Sequence, residues 1–163
     1  MTETPTRTPA TPETIPLRER PGVRIVDWNE GRHPQGQPGD VIATLFSLIL
    51  GDRADPDAAR FTHARMAPGS GPRLWHAHAD WTASIVLEGS LIVEGVTLTA
   101  GQLVVVAPDV AYGPLTPGPV GATVLEIFAS ARATQTRWDD DDPRVRDYRR
   151  RGWILDPPAE PPS

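Results

Sequence analysis

The sequence predicts an all-β fold, a barrel or a sandwich, and three observations carry that prediction. Short runs rich in Val, Ile, Leu, Thr and Phe follow one another through the middle of the chain: FTHARM, TASIVL, LIVE, VTLT, QLVVVA and ATVLEIF. Turn-forming stretches separate them, among them PGSGP, EGS, EG, AGQ and PDVAYGPLTPGPVG. Many short strands at close, even spacing are the pattern of a barrel or sandwich. The third observation is where proline falls. The chain has 19 prolines in 163 residues, more than twice the usual share of about 5%. Seven precede Gly39 and four follow Asp156, so most of the excess spares the middle.

The elements follow in order. Residues 1–22 (MTETPTRTPATPETIPLRERPG) are nearly empty of large apolar side chains and are expected to form a disordered tail. Val23 to Trp28 alternates apolar and polar residues and is expected to be a short edge strand. EGRHPQGQPGD then reads as a loop, Val41 to Leu50 as a strand or buried segment, and DRADPDAA as a surface turn. The strand-like runs follow. Gly113 to Pro119 reads as a rigid loop that fixes the backbone of Tyr112. Asp142-Pro143 starts a helix, with Asp as N-cap, Pro at the first helical position, arginines toward the C-terminal end and Gly152 as the stop. The barrel is thus expected over 23–131 and an extension with a short helix over 132–154. Residues 155–163 are expected to be a second disordered tail.

Composition bounds the chemistry. There is no cysteine, which excludes disulfides, thiolate nucleophiles and Cys-ligated zinc. The net charge is −5, and every basic residue is arginine. Between Val41 and Ala131 acids outnumber Arg53, Arg60, Arg65 and Arg73, so a surface that tracks phosphates is not expected there, and no nucleic-acid partner is. No membrane partner is expected either: the longest apolar run, Val41 to Leu50, is too short to span a bilayer, and Met1 to Leu17 has no signal-peptide pattern. The expectation is a cytoplasmic protein.

The sharpest local feature is Leu74-Trp75-His76-Ala77-His78-Ala79-Asp80. Histidines at i and i+2 on a strand share one face, about 7 Å apart along the backbone. Their imidazoles can converge on one metal at bonds of about 2.0–2.1 Å. The plainer reading of such a pair is two polar histidines on a wet face.

Its context resembles the cupin superfamily. Pro68-Gly69 stands where the first cupin motif has its turn, His76 and His78 where it has its histidine pair, and Val86-Leu87-Glu88-Gly89 where its strand ends in glycine. Gly101, five residues, and then Ala107-Pro108-Asp109-Val110-Ala111-Tyr112 stand where the second motif runs. The resemblance covers about Leu48 to Phe128. It implies a double-stranded β-helix, a jelly-roll-like barrel, that pairs into homodimers. Two metal positions depart from the pattern: Thr82 stands in the glutamate slot and Tyr112 in the final histidine slot.

On that frame His76 and His78 are the metal residues, for iron, zinc, manganese or nickel. Tyr112 is a catalytic candidate, although a phenol with a pKa near 10 ionises only beside a cation. Glu126 is the other candidate, as ligand or general base: if Val124 and Phe128 face the barrel, so does Glu126. In the plainer and preferred reading Leu125 and Ile127 are the core face and Glu126 is solvated. Thr82, Ser84 and Val86 share parity and are expected to line the substrate pocket, with Phe128 at its floor. Asp80 reads as a solvated acid at a bend. His63 shares parity with Arg65 and reads as a surface or interface residue rather than a third ligand, and His33 as a loop residue. Trp75 and Trp81 have the opposite parity to the pair and belong at the rim, between sheets or at an interface. Trp138 and Trp153 are expected to anchor the C-terminal helix on the barrel wall.

Two classes of function follow. One is a small metal-dependent cupin enzyme, a lyase, isomerase or dioxygenase. It would act on a small organic substrate with a carbonyl, enol or carboxylate group, by decarboxylation, cyclisation, isomerisation or oxygenative cleavage. The other is metal-free: a barrel that binds a small ligand as sensor or carrier, or an acid–base catalyst using His76, His78 and Tyr112.

Overall fold

The computed structural model describes residues 25–37, 40–68, 70, 74–134 and 136–150. Nine strands, a 3-10 turn at Ala131–Thr134 and one helix make up the elements within these residues: β1 (His33–Gln37), β2 (Asp40–Ile49), β3 (Arg60–Met66), β4 (His76–His78), β5 (Thr82–Val93), β6 (Val96–Thr99), β7 (Leu103–Val106), β8 (Leu115–Phe128), β9 (Thr136–Trp138) and α1 (Pro143–Arg150). Seven strands form one antiparallel sheet in the order β1-β2-β3-β8-β5-β6, with β7 also paired to β5; β4 and β9 form a second, two-stranded sheet. The all-β expectation holds. None of the described helices is long and apolar enough to cross a membrane. The two tails expected at 1–22 and 155–163 lie outside the described residues, as does Trp153.

The two longest strands organise the sheet. TASIVL and LIVE are one strand rather than two, because β5 runs on through Glu88-Gly89-Ser90 while its register against β8 shifts. Gly89 allows the shift: its φ is +70°, and a Cβ there would overlap the carbonyl oxygen of Gly121. β8 begins at Leu115, so most of the loop expected over Gly113 to Pro119 is strand. Its prolines and glycines hid that half from a pattern of apolar alternation.

Two expectations at the N-terminal side fail. EGRHPQGQPGD is not a loop throughout, since His33–Gln37 pairs with β2 as the edge of the sheet. An edge strand is where a sheet tolerates a proline such as Pro34. Val23 to Trp28 is not an edge strand over its described part, 25–28. The Asp27 carboxylate accepts hydrogen bonds from the Asn29 backbone (2.8 Å) and side chain (2.9 Å), which makes a turn there instead.

Register fixes which side chains share a face. On the inner face, one end is apolar: Val86, Val124, Ala64 and Leu45 form one cross-strand row, and Ala122, Met66 and Ala43 the next. Leu91, Val93 and Leu115 complete this packed end. The other end is polar. Ser84, Glu126, Thr62 and Ser47 stand side by side across β5, β8, β3 and β2, and Thr82, Phe128 and Arg60 form the neighbouring row. The Ser47 and Thr62 hydroxyls are hydrogen-bonded at 3.1 Å.

The C-terminal segment returns to the barrel. Helix α1 is capped by Asp142, whose Oδ1 accepts the Arg144 N–H at 2.8 Å, and is anchored by the fully buried Val145. Before it, β9 lies along β4, with Trp138 opposite His76 and Thr136 opposite His78.

Candidate functional site

Strand β4 is hydrogen-bonded along both edges. On one side it pairs with β9. On the other, His76 N–H donates to the Tyr112 carbonyl (3.1 Å), Tyr112 N–H donates to the His76 carbonyl (2.9 Å), and Asp109 N–H donates to the His78 carbonyl (2.8 Å). An ion pair between Arg137 of β9 and Asp109 ties the two flanking segments together. The histidine strand is therefore held by the loop that carries Tyr112 and by the C-terminal extension.

His76 and His78 are both buried, at 6% and 5% exposure, and their rings stand edge to face with centroids 5.0 Å apart. Tyr112 packs between them, its ring centroid 4.5 Å from that of His76 and 6.0 Å from that of His78. Phe128 meets His78 edge to face at 5.4 Å, and Trp138 meets His76 at 5.4 Å. Thr82, Ser84 and Val86 are buried on the same inner face as Phe128. The structure thus brings the histidine pair, Tyr112 and Phe128 into one aromatic cluster at the polar end of the barrel, while Val86 belongs to the apolar end.

The tautomer of His76 follows from one contact. Its Nδ1 lies 2.9 Å from the Leu74 carbonyl oxygen. A carbonyl only accepts, so in the neutral ring Nδ1 carries the proton and Nε2 keeps the lone pair. A ligating histidine is ordinarily held this way, with its second ring nitrogen donating to a carbonyl. Two imidazoles on one ion, with bonds of about 2.0–2.1 Å, have ring centres about 4.5–5.5 Å apart, and the observed separation agrees. As a pair of nitrogen donors His76 and His78 fit a divalent ion, and the Tyr112 ring packs against both. No group of three or more His, Asp or Glu side chains placed to share one ion occurs among the described residues, so Glu126 does not complete the pair.

Glu126 nevertheless faces inward. Val124 and Phe128 are buried on its side of β8, and its neighbours in register are Ser84 and Thr62. This corrects the preferred expectation that Leu125 and Ile127 form the core face. Burial, then Arg53, lowers the pKa of Arg60, and the carboxylate of Glu126 pulls it the other way. Glu126 is thus a partly buried acid within the field of an arginine, on the polar inner rows. Asp80 lies at a bend after β4; the Trp81 N–H, bound at 2.8 Å, is the main cause that holds its carboxyl below the usual range. Trp75 and Trp81 are exposed.

Two features escaped the sequence reading. Trp138, expected to anchor the helix, stands opposite His76 and walls the cluster. Its strand has three residues, too few to show a period. Thr62 falls in the strand-like run FTHARM and Arg60 just before it, and their place on the inner face emerges from the register of β3 against β8.

His63 points to the outer face but is almost fully buried, at 3% exposure. Trp28 stacks on it with centroids 4.5 Å apart, and Arg32 donates to its Nδ1 at 2.9 Å. Burial, then Arg32 and Arg65, lowers its pKa below the usual 6.5, with Glu88 opposing. A lowered histidine pKa means that the folded chain prefers the neutral ring. That contribution to stability is complete above about pH 6.5 and is lost as the pH falls through the lowered folded value. Melting temperatures between pH 7.5 and 5 should therefore fall more steeply for the wild type than for His63→Gln. Equal slopes would show that another group titrates.

No family model matches the sequence, and no curated protein matches it. Solved structures do. The chain superposes on oxalate decarboxylase from Bacillus subtilis with a TM-score of 0.55 and 15% identity, covering 78% of this chain but 36% of that one. It superposes on an RmlC-like cupin protein from Ralstonia eutropha with a TM-score of 0.54 and 15% identity, covering 72% of this chain and 73% of that one. A cupin-like protein from Thermotoga maritima gives a TM-score of 0.50 at 18% identity, covering 60% and 75% of the two chains. The strand order and these likenesses define the class, an antiparallel β-barrel of the cupin type. The chain has the cupin fold.

Proposed function

We propose that the chain is a small cupin enzyme acting on a small organic substrate that carries a carbonyl, enol or carboxylate group, with a divalent metal held by His76 and His78. The fixed tautomer of His76 carries this reading: its Nδ1–H is spent on the Leu74 carbonyl, which makes Nε2 the lone-pair nitrogen of the ring, as in a metal-ligating histidine. When bound, the metal supplies Lewis acidity toward the substrate oxygen. The chain's own groups do the rest. Tyr112, buried at 5% exposure beside both imidazoles, holds a proton at its phenol oxygen for transfer to a developing carbanion or enolate. Thr82 and Ser84 offer hydroxyls that orient the substrate. Phe128 and Trp138 wall the cluster and keep water from it.

The test is elemental analysis of protein purified without an affinity tag, with about one transition-metal ion per chain expected. Less than about a tenth of an ion, with none taken up on dialysis against Fe²⁺, Mn²⁺, Ni²⁺ or Zn²⁺, would sink the metal reading. A second reading then stands, metal-free binding or acid–base chemistry by His76, His78 and Tyr112. It is favoured by one observation, that no third His, Asp or Glu joins the pair among the described residues. Function that survives exhaustive chelation would establish it.

A further inference from the structure

The polar end of the inner face carries a cation that the proposed chemistry does not use. Arg60 stands in the row Thr82, Phe128 and Arg60, beside the row Ser84, Glu126, Thr62 and Ser47. Its guanidinium is permanently charged and presents its N–H donors as a rigid planar fork. The Nε–H is buried and has no acceptor. Among the described residues Arg60 forms no ion pair. Glu126 is the only acid on these rows, and it supports the charge of Arg60 through its field, without a hydrogen bond, while burial and Arg53 weigh against that charge. A buried guanidinium edge with no acceptor is costly to the fold alone, and a native structure that keeps one calls for an explanation at a ligand. Phe128 joins this cation to the histidine pair: it is the register partner of Arg60, and its ring meets His78 at 5.4 Å.

We propose that the substrate of this barrel is a carboxylate and that Arg60 is the residue that selects it, donating from Nε and one terminal nitrogen to the two carboxylate oxygens. That edge of a guanidinium matches a carboxylate with two parallel N–H···O bonds. A carbonyl or enol compound without the charge would leave the cation buried and uncompensated, so Arg60 discriminates against it. The hydroxyls of Thr62 and Ser84, buried on the neighbouring row, keep that end of the face polar for the rest of the molecule. Glu126 tunes the selection, because its charge repels an arriving anion as it supports Arg60. The assignment rests on the substrate's lying at the polar end of the inner face, as proposed above, but it does not rest on the metal.

The probes are pyruvate and malonate, each compared with its uncharged amide, pyruvamide and malonamide. They are titrated calorimetrically into the untagged full chain after exhaustive chelation, at constant ionic strength. The acids should bind at least about tenfold more tightly than the amides. Arg60→Gln should erase that ratio, and Arg60→Lys should keep part of it, since the charge remains and the fork is lost. Glu126→Gln should act in the opposite direction and tighten the acids by about threefold or more, a sign that a loosened fold does not produce. Arg53→Gln is the control: Arg53 is exposed in the turn before β3, so the ratio should stay within about twofold. Acids and amides bound alike, an acid preference that survives Arg60→Gln, or no binding of either acid up to about 50 mM would each overturn the assignment. Metal content is measured separately. One ion per chain with no acid preference would leave the metal reading standing and remove this one; an Arg60-dependent preference in a chain that takes up no metal would do the reverse.

Discussion

If the proposed metal reading holds, replacing His76 by alanine is expected to lower the metal content from about one ion per chain to below about a tenth. The imidazole supplies one of only two nitrogen donors in the cluster, and its lone pair is aimed by the Leu74 carbonyl. Loss of a mere outer partner of a metal ligand typically costs about 10- to 100-fold in affinity, and loss of the ligand itself costs at least that. A calorimetric signature accompanies the change. A ligand present at about a hundred times its dissociation constant stabilises the native state by about 2.7 kcal/mol, so added metal should raise the melting temperature of the wild type and leave that of His76→Ala where it was. The alanine variant also loses ring contacts with Tyr112 and Trp138, so its baseline melting point falls. The metal-induced increment is the quantity to compare, because that loss of packing does not affect it. Thr82→Val is the control, since it keeps the volume and both histidines. A His76→Ala protein that retains its ion, or its increment, would detach the histidine pair from metal binding.

The opposite end of the barrel should show the opposite behaviour. Leu91→Ala removes a side chain that is 1% exposed and packed with Leu115 and Val93. Truncations of this kind cost about 2–5 kcal/mol, with the cavity left behind setting the value. A domain of this size has about 5–15 kcal/mol in all, so urea unfolding should show a midpoint well below that of the wild type at an unchanged slope. Metal content should not change on the proposed metal reading, because Leu91 lies on β5 in the large sheet and the histidines on β4 in the second sheet. Together the two variants test a division of labour: one end of the inner face carries stability and the other carries chemistry. A Leu91→Ala protein that loses its metal while still folded would show that the two ends are coupled.

The parts of the fold that the sequence exposed were those with a pattern. FTHARM, VTLT and QLVVVA correspond to β3, β6 and β7, because each alternates or is β-branched over its length. The strand pattern left barrel and sandwich open, and the barrel followed from the resemblance to the cupin motifs that His76, His78, Gly89 and Gly101 carry. What hid was structure held by partners rather than by period. β1 is built of HPQGQ, which carries no apolar alternation and exists because β2 offers its edge. The first half of β8 is rich in proline and glycine. β9 is three residues long and is defined by β4. Val23 to Trp28 had the alternation of a strand, but Asp27 turns the chain and Trp28 finds His63. At the site the histidine pair was legible from i, i+2 spacing. The orientation of Glu126 was open until the register of β3 and β5 against β8 showed which side of the strand was buried.

One consequence of the β4–β9 pairing concerns time. Arg137 reaches the His78 carbonyl from 59 positions further along the chain. Closing a loop of that length carries an entropic cost that grows as the logarithm of its length and must be met before the contact forms. During synthesis the histidine strand emerges long before its partner, and one of its edges stays open until Thr136–Trp138 has followed. The sheet can form first; the histidines take their final places only when β9 arrives.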